Sequence, residues 1–97
     1  MPYIKQEDRK QVDTQLGYLI DSVAEACNGK ISALPGILNY CITSLIKATY
    51  RSVLRKNTLT YSDHNSAIGM LECCKMELYR RDVACYEDQK IIENGDV

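Results

Sequence analysis

The chain contains no tryptophan and no phenylalanine, and only one histidine, two prolines and five glycines in 97 residues. Each scarcity removes a class of chemistry. His64 is the only imidazole, and neither His-x-x-x-His nor Cys-x-x-Cys occurs, so the spacings that hold zinc are missing. Gly29 and Gly36 lie too far apart to form a phosphate-cradling loop, and no Gly-Lys-Ser/Thr follows a glycine run. The few prolines leave room for long helices and argue against a linker or low-complexity tract. Strong charge of one sign is absent too. Twelve basic and thirteen acidic side chains give a net charge of -1, which disfavours duplex nucleic acid, whose affinity comes from neutralising many phosphates. No basic-then-apolar leader opens the sequence, and no unbroken run approaches the roughly 18 apolar residues of a membrane span. The expectation is a cytoplasmic protein with no membrane partner.

What is present describes a folded domain. Apolar residues make up 45% and charged residues 26%, the balance of a globular chain. A single domain over residues 1–97 is expected. At this size a chain buries only about 60 to 65% of the surface its unfolded form exposes, so its core is thin and assembly into a homo-oligomer would thicken it. Cys27, Cys41, Cys73, Cys74 and Cys85 are an odd count with no secretion signal, which reads as reduced thiols serving as small core hydrophobes.

Periodicity organises the chain into three helices. Val12, Leu16, Leu19, Ile20, Val23, Ala26 and Cys27 recur at steps of three and four, and Asn28-Gly29 supplies a stop. A second helix runs from Pro35 to about Lys56 on Ile37, Leu38, Cys41, Ile42, Leu45, Ile46, Tyr50, Val53 and Leu54. Arg55-Lys56-Asn57 closes it, with Asn57 suited to the left-handed cap conformation. Thr60 followed three residues later by Asp63 has the form of a capping box and begins a third helix. That helix runs through Ala67, Ile68, Leu71, Cys74, Leu78 and Cys85 toward Ile92, and its length implies either a bend near Val83 or projection from the body. The fold class is therefore all-α, a small antiparallel three-helix domain with a long last helix, the helices spanning about 7–27, 35–56 and 62–92.

Charge is uneven within the near-neutral total. Residues 40–81 carry seven basic and three acidic side chains, whereas residues 82–97 carry one and five. Lys47, Arg51 and Arg55 share one face of the second helix, and Arg80-Arg81 adds a basic focus on the third. No constellation suits catalysis. His64 is expected in the first turn of a helix, where a histidine is commonly just a polar first-turn residue. No acidic pair such as Glu7-Asp8 or Glu87-Asp88 lies in an apolar setting that would raise its pKa. The expectation is a protein that is not an enzyme and holds no metal or cofactor.

The densest stretch is Leu78-Tyr79-Arg80-Arg81, followed by Tyr86-Glu87-Asp88 and Glu93-Asn94-Gly95-Asp96-Val97. With Met1-Pro2-Tyr3-Ile4 and Leu38-Asn39-Tyr40-Cys41-Ile42-Thr43, it resembles a small family of uncharacterised proteins of bacteria, their prophages and tailed phages. The resemblance spans most of the chain. One departure is Cys85, where the family pattern implies proline before the tyrosine of Tyr86-Glu87-Asp88. The resemblance implies a phage or mobile-element setting, and host cytoplasm if the gene is phage-borne, but no established activity. By analogy of context and size, it suggests an accessory factor that acts by binding, such as a sponge that sequesters a cyclic nucleotide immune signal.

A nucleotide pocket wants aromatic faces, guanidinium groups and a few orienting amides or hydroxyls. Tyr79, Arg80, Arg81, Tyr86 and Lys75 offer the first two, and Asn39, Tyr40 and Thr43 offer the third. Structural pairing competes with this role, since Arg81 borders the Leu78 and Cys85 stripe and could serve Glu72, Glu77 or a tail carboxylate. The favoured expectation is a non-enzymatic accessory protein binding a small anionic ligand at Tyr/Arg-lined subunit interfaces. The alternative is a protein-interaction module that inhibits or adapts a host or phage protein through an exposed helix face. A small phosphodiesterase is the third reading, and the poor catalytic inventory counts against it.

Overall fold

A computed structural model describes residues 3–97; Met1 and Pro2 of the opening motif lie outside the described residues. The fold is all-helical, with three helices of which the last is long, and no strand occurs among the described residues. Contacts gather these residues into two compact units, Tyr3–Leu59 and Thr60–Val97.

The first unit is a packed helix pair. Helix α1 spans Gln6–Cys27, with Glu7 and Asp8 in its first turn, where acidic side chains meet the positive end of the helix dipole. Asn28 (φ 48°) and Gly29 (φ 75°) both enter the left-handed region, and the Asn28 amide donates to the Glu25 carbonyl at 3.0 Å. This is the stop expected from Asn-Gly. A short 3-10 turn, Ile31–Ala33, leads into α2, Leu34–Leu54, which has proline in its first turn, where the missing N–H costs nothing.

The end of α2 differs from expectation. The left-handed residue is Arg55 (φ 54°), and Asn57 does not take that role. The reason is the Arg51 side chain, whose Nε donates to the Asn57 carbonyl at 3.0 Å while Nη1 donates to the Lys47 carbonyl at 3.3 Å. This tether draws the chain back two residues early, and the Lys56 amide follows it onto the Arg51 carbonyl at 3.2 Å.

Packing in this unit is one-sided. Val23 is its one buried apolar residue, whereas Leu16, Ile20, Leu38, Ile42 and Leu45 remain 39–59% exposed. Between α1 and α2 these side chains line an open groove of about 650 Å³ that reaches from Leu16 and Leu45 to Cys27 and Ile31. Lys30 is the only charged residue on its lining. Residues Ile31–Leu54 also form a 24-residue helical stretch with an 18-residue window of mean hydropathy 1.2, long and apolar enough by length and composition to cross a membrane. Counting unbroken apolar residues misses this, because Asn39, Thr43, Lys47 and Arg51 interrupt the run.

The second unit is the long third helix. It opens with the capping box: the Thr60 hydroxyl accepts from the Asp63 amide at 3.2 Å, and the Asp63 carboxylate accepts from the Thr60 amide at 2.8 Å. Helix α3 then spans Tyr61–Leu78. A π-helical turn covers Tyr79–Val83, and α4 spans Ala84–Asn94. The backbone stays in the right-handed helical region from Leu78 through Ala84. The feature expected as a bend near Val83 is thus a widened turn within a continuing helix. Here Ala67 is the buried apolar residue, and Cys73, Cys74 and Cys85 lie exposed instead of in a core.

Candidate ligand site on the third helix

The Tyr79-Arg80-Arg81 segment coincides with the π turn. Entry into that turn is marked by the Tyr79 amide, which reaches both the Lys75 and Met76 carbonyls. At its end the Ala84 amide donates to the Tyr79 carbonyl, five residues back. Such a turn holds one residue more than an α-helical turn and shifts which side chains share a face. Short π segments inside α-helices are rare and occur frequently at functional sites.

Glu77, on the last α-helical turn, organises the basic residues. Arg80 Nη2 donates to Glu77 Oε1 at 2.9 Å, and Arg81 Nε donates to the same oxygen. An acidic residue preceding basic ones by three and four positions is the favourable order on a helix. The Glu77 side chain is only 22% exposed, while those of Arg80 and Arg81 are 63% and 58% exposed. Of the acidic partners considered for Arg81, Glu77 is paired with it, and the pair lies at the surface.

The tyrosines are held from the C-terminal side. The Tyr79 hydroxyl donates to Glu87 Oε2 at 3.0 Å, spanning the π turn. That hydrogen bond and the negative charge of Glu87 hold the Tyr79 phenol above its ordinary pKa of 10.0, with smaller contributions from desolvation and Asp88. Lys90 lies 5.6 Å from the centre of the Tyr86 ring, within cation–π range, and also pairs with Glu93 at 3.1 Å. Lys75 pairs with Glu72.

Five of the eight expected site residues, Lys75, Tyr79, Arg80, Arg81 and Tyr86, therefore fall on one helical segment. The other three, Asn39, Tyr40 and Thr43, belong to the Tyr3–Leu59 unit. There the Thr43 hydroxyl bonds the Asn39 side-chain oxygen at 3.4 Å, and Tyr40 stands 73% exposed. Glu77 and Glu87 are the residues that sequence reasoning underweighted. Their spacing to Arg80, Arg81 and Tyr79 was the available clue. Among the described residues no group of three or more His, Cys, Asp or Glu is placed to hold a metal ion.

An all-helical chain with an exposed, carboxylate-organised tyrosine–arginine segment on a π turn is what the structure defines. Its sequence matches the family described as a domain of unknown function, DUF6899, over residues 1–97, and the chain belongs to that family. No curated protein and no solved structure matches it.

Proposed function

We propose that this chain is a non-enzymatic accessory protein of phage or prophage type that binds a small anionic ligand of the cyclic nucleotide class. In this reading it sequesters an immune signal of the host. The observation that carries the proposal is the convergence of Arg80 and Arg81 on Glu77 at the π turn, with Tyr79 on the same turn, Tyr86 on the helix that follows it and both guanidinium groups more than half exposed. Guanidinium groups recognise phosphate oxygens in paired hydrogen bonds, and phenol rings stack on bases. A ligand phosphate would share the arginines with Glu77. One helix offers a strip and not a concavity, so the proposal assigns the other wall of the pocket to a neighbouring copy of the chain.

The test is a thermal-shift and calorimetric screen against cyclic di- and trinucleotides, cyclic ADP-ribose isomers and linear nucleotides, since a ligand that binds the native state raises its stability by mass action. A saturable ligand recovered chemically intact, whose binding Arg80→Ala or Arg81→Ala abolishes while circular dichroism is unchanged, supports the proposal. Recovery of a cleaved product would replace it with an enzyme. Silence across the panel would favour a protein-interaction module.

A further inference from the structure

We propose that Met70, Cys73 and Cys74 form a binding site for a soft monovalent cation, copper(I). The three sulfur-bearing residues share one turn of α3. The Cys74 thiol donates to Met70 Sδ at 3.7 Å, and Cys73 stands beside it, exposed like Cys74. Met70 is itself 36% exposed, so all three are open to an ion arriving from solvent.

Helical spacing explains how two adjacent cysteines can serve one ion. Neighbouring residues point about 100° apart, which separates Cys73 from Cys74. Met70, one turn earlier, lies between them, about 60° from Cys73 and about 40° from Cys74 around the axis. Side chains lean toward the N-terminus of a helix, so both thiols are directed back over the turn that Met70 begins. Methionine is unbranched and flexible, and its sulfur adapts to the gap. The observed separation also fits. Metal–thiolate bonds are about 2.3 Å long, which places two sulfurs on a shared ion about 3.8–4.0 Å apart at tetrahedral or trigonal angles.

Donor chemistry selects the cation. Zinc takes thiolate, imidazole and carboxylate ligands, almost always four in a structural site, whereas one donor of the three here is a thioether. Thiolate and thioether sulfurs without nitrogen or oxygen favour copper(I). Glu77, the carboxylate with helical spacing to both cysteines, is held by Arg80 and Arg81, and Glu72 is held by Lys75. Cys85 lies about 16 Å farther along the helix, out of reach of the same ion. Binding displaces both thiol protons to solvent and forms two copper–thiolate bonds and one copper–thioether bond, with no change of oxidation state.

The inference does not depend on the nucleotide reading, and its test contains no nucleotide. Reduced full-length protein is titrated anaerobically with copper(I) in competition with bathocuproine disulfonate. The expected result is one copper per chain, drawn from the chelator's coloured complex. Cys73→Ser and Cys74→Ser should each weaken binding by at least about 100-fold and Met70→Leu by about tenfold, whereas Cys85→Ser leaves it unchanged. Silver(I), a redox-inert stand-in, should shift the methyl resonance of Met70 in the wild-type protein and leave that of Met76, about 120° away around the helix, in place. That spectrum decides if a variant fails to fold. An unmoved Met70 methyl resonance would overturn the inference. So would two coppers per chain, one copper shared by two chains, undiminished binding by the Cys73→Ser/Cys74→Ser double variant, or failure to compete with the chelator.

Discussion

Replacing Glu77 with Gln is predicted to move stability and ligand affinity in opposite directions. Glu77 is the shared acceptor of Arg80 and Arg81. Each exposed ion pair contributes about 0.2–1 kcal/mol, and Gln retains an acceptor, so the loss of folding stability is about 1 kcal/mol at most. For a domain of this length that lowers Tm by about 4–8 °C. The same change removes a negative charge from beside the place where a phosphate would sit. At a separation of about 5 Å, the repulsion between carboxylate and phosphate is about 0.8 kcal/mol in a water-like dielectric and about 3 kcal/mol at an effective dielectric of 20. The arginines are more than half exposed, so the lower end applies, near 1 kcal/mol, or about fivefold tighter binding. Melting by circular dichroism reads the first effect, and calorimetry with a ligand from the nucleotide screen reads the second. Affinity that falls in step with stability would refute the reasoning. It would show that Glu77 holds the arginines for a purely structural purpose, or that the ligand lies elsewhere.

Thr60→Ala removes one half of the capping box and is expected to cost about 1 kcal/mol, read as a lower urea midpoint with an unchanged slope. An unchanged midpoint would mean that the Asp63 half suffices. Tyr79 should be among the last of the seven tyrosines to ionise in an ultraviolet titration, and Glu87→Gln should bring it back toward the others. Because its native pKa is raised, the Tyr79–Glu87 contribution to stability is complete below pH 10 and is lost as the pH rises through the native value. Thiol labelling should separate Cys73, Cys74 and Cys85, which are exposed and fast, from the half-buried Cys27 and Cys41, which line the α1–α2 groove. Equal rates at all five would show that nothing covers that groove.

Local features were the legible ones. The Thr60–Asp63 box, the Asn28-Gly29 stop and the proline at the head of α2 depend on a few neighbouring residues, and their hydrogen-bonding patterns appear as read. The end of α2 was harder, because Arg51 reaching Asn57 six residues on decides which residue turns left-handed. The π turn was illegible for a different reason. Its five-residue hydrogen bond leaves no apolar spacing of its own, since Tyr79–Val83 contains three polar or charged residues in succession. The Tyr/Arg residues of the expected site fall on one helical segment, but the carboxylates they pair with, Glu77 and Glu87, are evident only once the helix register is known. The groove depends on which side of two broad stripes the helices turn toward each other, and a stripe alone does not state that. For the same reason Cys73, Cys74 and Cys85, read as core, stand at the surface.

The widened turn at Tyr79–Val83 also acts as a phase marker. Each residue of an α-helix advances the face by about 100°, so the one extra residue held there rotates everything beyond it relative to α3. Glu87 meets Tyr79 from eight positions away because of that offset. A homologue shorter by one residue in this stretch could keep an unbroken helix and the same composition. It would nonetheless carry its acidic C-terminal face in a different direction from its arginines, so alignment gaps at this point would separate proteins with the same fold but different recognition surfaces.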